Sequence, residues 1–254
     1  MCIMNTLKKI LFGATDSPKQ VERENVKERQ ALAKLNLSDI ITVDFPDNQY
    51  FKEQTDKKQI VLHHTISGQG IDGDIAWWRS TADKVGTAIL IDKNGKIYQC
   101  FSSKYWAYHL GINTANSKAL NMSSIGIEID AWGGLVKSSE NGLWYPAKWD
   151  ASVKKYVPNR NNKNISNVFE YPNGYRGFYG FEKYSDAQIE AIKQLLIYWG
   201  EKYKIPLDYN TDMWDISSKA LSGQAGVWVH NSYRTDKSDC YPDDRLIDML
   251  NNLK

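Results

Sequence analysis

Apolar positions along the chain follow two spacings, separated by polar stretches. Residues 59–66, 85–91 and 96–101 are short, nearly continuous apolar runs. Runs of this length bounded by polar residues predict strands. The second and third are joined by Asp92-Lys93-Asn94-Gly95, and an Asn-Gly pair between apolar runs predicts a tight hairpin. Residues 124–129 alternate, with Ile125, Ile127 and Ile129 on one face and Gly126 and Glu128 on the other. The spacing becomes helical over 185–203, where Ile189, Ile192, Leu196 and Trp199 share one stripe. Ser185 with Gln188 predicts a capping box, and Pro206 ends the helix. A last helix follows Pro242, using Leu246, Ile247, Met249 and Leu250. Mixed strands with a few helices predict an α/β or α+β domain.

Two segments lack this order. Residues 18–35 are charged and rich in helix formers with few apolar positions, which predicts a solvated helix or arm; 44–58 reads as a loop. Residues 133–183, rich in Gly, Asn, Tyr and Trp, have no sustained period and read as a loop insertion. The expected organisation is an N-terminal extension, 1–58, and a domain, 59–254, carrying that insertion.

Composition narrows the function. A net charge of +2 gives no strong basic field, so nucleic acid is not the expected partner. No apolar run reaches the roughly 18 residues of a membrane span, and residues 10–14 are too short for a secretory core segment. Three cysteines, Cys2, Cys100 and Cys240, without a CxxC pair argue against a disulfide scaffold. Nine Trp and 15 Tyr supply flat faces with polar tips, suited to sugars and peptides or to an aromatic core.

The candidate chemistry gathers around four histidines: His63, His64, His109 and His230. His63 and His64 lie on one strand, so only one of them faces a given site. His230 ends an apolar run and precedes a loop containing Asp236, Lys237, Asp239 and Cys240. An imidazole and a carboxylate or thiolate from such a loop, with one distant histidine, would give three zinc ligands and leave the fourth position open, as a catalytic zinc requires.

Six segments carry a resemblance: IVLHHTIS at 60–67, VGTAILIDKNGKIYQ at 85–99, AYHLG at 107–111, SSIGIEID at 123–130, YSDAQIEAIKQLL at 184–196 and VHNSYRTDKSDCYP at 229–242. In this order they resemble the type-2 N-acetylmuramoyl-L-alanine amidases, the group that includes phage lysozyme-type amidases and peptidoglycan recognition proteins. The resemblance spans about residues 58–252. It implies an α/β fold, a mixed central β-sheet flanked by α-helices. It also implies a Zn2+ cofactor held by His63, His230 and either Asp239 or Cys240; Lys237 two residues before Asp239 favours Asp239. Glu128 takes the place of the catalytic acidic residue and Lys237 that of the oxyanion stabiliser, while His109 and Trp78 would line the substrate cleft. Thr87 stands near the place where phage members often carry a catalytic tyrosine.

The activity implied is hydrolysis of the amide between the muramyl lactyl group and L-alanine, with peptidoglycan or a muropeptide as substrate. A monomeric phage endolysin is the expected setting, held in the host bacterial cytoplasm before release to the cell wall. The alternatives are a non-catalytic peptidoglycan-binding protein of the same fold, and a structural phage or wall-associated protein docked through residues 1–58.

Overall fold

The computed structural model describes residues 40–253 apart from 69 and 82; the charged stretch at 18–35, Cys2 and the run at 10–14 lie outside the described residues. The strands in chain order are β1 Ile41–Thr42, β2 Gln59–His64, β3 Ile89–Ile91, β4 Ile97–Gln99, β5 Ser124–Ile129, β6 Gly134–Lys137, β7 Trp144–Asp150, β8 Lys155–Pro158, β9 Val168–Tyr175, β10 Phe178–Glu182 and β11 Gly226–Val229. The helices are α1 Gly70–Ser80, α2 Ser117–Met122, α3 Asp186–Tyr203, α4 Ser218–Leu221 and α5 Asp244–Asn251.

Six strands form a mixed sheet in the order β1-β4-β3-β5-β2-β11. β3 and β4 are antiparallel and the other pairs are parallel. All six residues of β2 are buried, as expected for a parallel strand covered on both faces. The 92–95 turn closes the β3–β4 hairpin, with the Gly95 amide donating to the Asp92 carbonyl at 2.9 Å. Gly95 has φ +78° and lies so close to α3 that a Cβ would stand 2.5 Å from the Ala187 carbonyl oxygen; both constraints select glycine.

α3 begins as its sequence predicts. The Ser185 hydroxyl accepts from the Gln188 amide at 3.0 Å, and the Gln188 side chain accepts from the Ser185 amide at 2.9 Å. Its buried face carries Ala191, Ile192, Leu195, Leu196 and Trp199, and Lys204 turns left-handed (φ 57°) just before Pro206. α5 is capped by Asp243 and buries Leu246, Met249 and Leu250.

Three expectations need correction. Residues 40–58 belong to the domain: β1 pairs with β4, Phe45 and Tyr50 are buried, and Tyr50 stacks on Phe101 at 4.9 Å. Residues 85–88 are not a full strand; Val85 makes only an isolated bridge to Tyr108. Residues 134–182 are not a loop insertion but a second, antiparallel sheet in the order β8-β7-β6-β10-β9. Most of its side chains are exposed or half-buried, so its sequence shows no clean alternation. It is braced by Phe181, stacked on Tyr241 at 4.5 Å, and by Glu182, which accepts from Lys93 and from the Trp132 amide.

Asp130, at the end of β5, is 5% exposed and its Oδ1 has no hydrogen-bond partner among the described residues. Burial pushes its carboxyl up to about 6 from 3.8. The folded chain then holds more protons than the unfolded chain between those values, so this group costs stability as pH rises through the window. Asp130→Asn should be more stable than the native chain above about pH 6, with the gap narrowing as pH falls toward about 4. Urea unfolding midpoints across this range measure it, and a gap independent of pH contradicts the assignment.

Candidate metal centre and active-site cleft

His63 lies on β2 directly beside Glu128 of β5 in the parallel register. Paired residues of neighbouring strands share a face, so the imidazole and the carboxylate both look into one cleft of about 450 Å3. His230 follows β11, the next strand over. The loop after it folds back because the Asn231 amide donates to the Asp239 carbonyl at 3.2 Å and the Asn231 side chain to the Cys240 carbonyl at 2.7 Å. That return carries the Asp239 carboxylate to the two histidines.

Three atoms converge: His63 Nδ1 and His230 Nδ1 are 3.0 Å apart, and Asp239 Oδ2 is 2.9 Å from His230 and 3.3 Å from His63. All three residues are buried, and Asp239 Oδ1 has no partner among the described residues. Burial pushes the His63 imidazole down to about 4, and His230 adds to the effect. Burial alone would raise the Asp239 carboxyl, but the imidazoles of His230 and His63 hold it well below the usual carboxylate range. His63 and Asp239 thus lean toward neutral imidazole and ionised carboxylate, the states a metal needs of its ligands. Ligands on tetrahedral arms of ~2.0–2.1 Å stand about 3.3–3.4 Å apart, close to the spacing found here.

The outer partners fix the imidazoles. His230 Nε2 lies 2.9 Å from the Leu110 carbonyl; a carbonyl only accepts, so Nε2 carries a proton and Nδ1 is the nitrogen turned toward the donor cluster. His63 Nε2 lies 3.0 Å from His109 Nδ1, and His109 Nε2 lies 2.8 Å from Ser124 Oγ. With the His63 Nδ1 lone pair facing inward, each link runs outward: His63 donates to His109 and His109 to Ser124. The Asn121 side-chain oxygen accepts both the His109 amide, at 2.9 Å, and the Leu110 amide, at 3.1 Å.

The profile of the N-acetylmuramoyl-L-alanine amidase family matches residues 53–242, about three quarters of the chain. The chain belongs to this family. No curated protein matches it in sequence. Similar solved structures include the endolysin amidase LysCS of Clostridium intestinale, at 14% identity over 84% of this chain and 95% of that one, with a TM-score of 0.43. The hydrolase AmiA of Staphylococcus aureus, determined with its ligand, is 14% identical over 89% of each chain, with a TM-score of 0.45. A mutant endolysin from Bacillus subtilis is 16% identical over 84% of this chain and 95% of that one, with a TM-score of 0.43.

Set against the residues singled out in the sequence, the cleft gathers His63, His109, Glu128, His230, Lys237 and Asp239. Burial, then the charges of Asp239 and Asp74, holds the Glu128 carboxyl well above the usual carboxylate range, while Lys237 acts against this. His109 lines the cleft but also touches His63, a role its spacing did not reveal. Cys240 is fully buried outside the donor cluster, and burial pushes its thiol up. His64 faces the opposite side and meets the Tyr184 hydroxyl at 2.9 Å. Trp78 also lines the cleft, although it is only 8% exposed and packs edge-on against Phe45; its neighbour Trp77 is the exposed ring at the rim. The aromatic residues of 134–182 do not wall this cleft. Thr87, singled out through the resemblance, is in the lining; Asp74, also there, carried no signal in the sequence that set it apart as a site residue.

Gly126 sits where a Cβ would stand 2.6 Å from Thr87 Cγ2 and 3.2 Å from the His109 ring. Gly126→Ala should lose about 1–3 kcal/mol of stability by overpacking. Thr87→Ser, which removes that methyl, should restore part of the loss. Unfolding of the single and double variants tests this, and purely additive effects would refute the contact.

Proposed function

We propose that the chain is a zinc-dependent hydrolase of the amide joining the muramyl lactyl group to L-alanine in peptidoglycan. The observation that carries the reading is the buried convergence of His63 Nδ1, His230 Nδ1 and Asp239 Oδ2 in the same cleft as Glu128 and Lys237. Two imidazoles and a carboxylate are a zinc donor set that leaves room for a further ligand, and an Asp239 Oδ1 without a partner among the described residues suits a site built around a cation. When bound, zinc supplies Lewis-acid chemistry: it stabilises negative charge on a carbonyl oxygen and lowers the pKa of water.

The chain's own groups account for the proton movements. Glu128 takes a proton from the attacking water, since a carboxyl with a raised pKa works as a base nearer neutral pH. It then passes that proton to the departing alanine nitrogen. The Lys237 ammonium faces the cleft and offers hydrogen bonds to the oxyanion that develops at the attacked carbonyl. A binding protein that had lost its chemistry would not need this full set. The setting we propose is a lytic, endolysin-type role, with the protein held in the host bacterial cytoplasm before release to the wall. The resemblance to phage members in the six ordered segments motivates that setting.

Zinc should be found at one per chain by elemental analysis and be lost in His63→Ala, His230→Ala and Asp239→Ala, whereas Cys240→Ser should retain it. Metal loss in Cys240→Ser but not in Asp239→Ala would reverse the assignment. Glu128→Gln should keep zinc while turnover falls by about 100- to 10,000-fold; near-native turnover would make Glu128 structural. Digestion of wall sacculi and soluble muropeptides should release peptides with free L-alanine amino termini. New reducing sugar ends would overturn the amidase reading.

A further inference from the structure

The five-stranded sheet has a cleft of its own, of about 720 Å3, lined by residues from all five strands. It shares no lining residue with the cleft of His63 and Glu128. Three aromatic rings in it are open to solvent: Trp149 is 53% exposed, Tyr156 45% and Tyr179 60%. Tyr179 points outward at a break in the β9–β10 register, which shifts between Phe178 and Gly180. Trp149 and Tyr156 stand edge to face at 5.3 Å, and Tyr156 is backed by Phe178 at 4.8 Å. Trp149 and Tyr156 are thus held in place by neighbours while their outer surfaces stay uncovered. Exposed apolar surface concentrated in this way marks a binding face.

The polar groups of the cleft favour one kind of occupant. Lys137, Lys155 and Glu170 are exposed members of its lining. Among the described residues none of the three has an ion-pair partner, and Lys137 rests over the Trp144 ring at 5.3 Å. Flat rings offer stacking faces to the C–H faces of sugar rings, and charged side chains beside them hydrogen-bond to hydroxyl and acetamido groups. The amidase reaction proposed above leaves glycan whose lactyl groups end in free carboxylates, and two lysines complement that charge.

We propose that this cleft is a second carbohydrate site that holds the N-acetylated glycan strand while the other cleft works on the peptide linkage. The choice of ligand rests on the amidase reading, but glycan binding is measured without any hydrolysis.

The test uses the full chain with two probes, an N-acetylglucosamine tetrasaccharide and peptide-free glycan strands bearing lactyl carboxylates. Calorimetry should show the strands binding, with Trp149→Ala and Tyr179→Ala each weakening them by about tenfold. Trp149→Phe should recover most of that loss, and unchanged unfolding midpoints should confirm that the variants fold. A Lys137→Gln/Lys155→Gln variant should weaken the charged strands and leave the neutral tetrasaccharide unaffected. In the native chain, amide resonances of residues 135–137, 155–156 and 177–179 should shift on adding the tetrasaccharide. Native affinity in the Trp149→Ala/Tyr179→Ala double variant, or shifts confined to the His63 cleft, would overturn the proposal. So would displacement of the strands by sugar-free stem peptide. A chain that binds strands here yet releases no peptide keeps this proposal and loses the amidase reading.

Discussion

Everything near the active-site cleft is arranged around the close approach of two imidazole nitrogens and one carboxylate oxygen out of water. Three electron-rich atoms within 3.3 Å of one another do not sit together unless a proton or a cation lies between them. The approach is secured from several directions at once. The parallel register of β2 with β11 sets His63 near His230, the Asn231 hydrogen bonds fold the following loop back, and the buried rings of Phe181, Tyr184 and Tyr241 pack the chain just beyond Asp239. The domain supplies the rigidity that a preorganised site needs.

Part of the cleft was legible in the sequence from strand periodicity, and the rest from the resemblance. Alternation over 124–129 put Glu128 opposite the isoleucines, and the adjacent His63 and His64 had to divide between two faces. The outer support was not legible. The Leu110 carbonyl meets His230 across 120 residues, and a backbone carbonyl has no residue type to read. Asn121 lies in a six-residue helix with nothing in its sequence to mark it as more than a polar helix residue. That Trp77 also lines the cleft, as its exposed ring, was not legible either, because a two-residue window cannot tell which of two neighbouring rings a helix buries.

The second sheet escaped the sequence for a different reason. Its strands are short or irregular, its faces are half wet, and a shift in the β9–β10 register breaks the alternation where Tyr179 turns out. A core strand buries one side and so leaves a trace of period two; a sheet that keeps much of both faces in solvent leaves little. Its ties to the rest of the domain include a few aromatic contacts, Glu182, which accepts from Lys93 and from the Trp132 amide, the Tyr175 hydroxyl, which accepts from Asn231 and donates to the Trp214 carbonyl, and Arg176, paired with Asp215.

The single oxygen of Asn121 has a mechanical meaning. By accepting from two consecutive amides it fixes, in one move, the ring that steadies His63 and the carbonyl that steadies His230. The two imidazoles therefore share one support: the position of α2 bears on both rings through the same side chain. A change in the spacing of the two donor nitrogens can thus begin in that helix, at a residue outside the donor triangle, with the donors themselves unaltered.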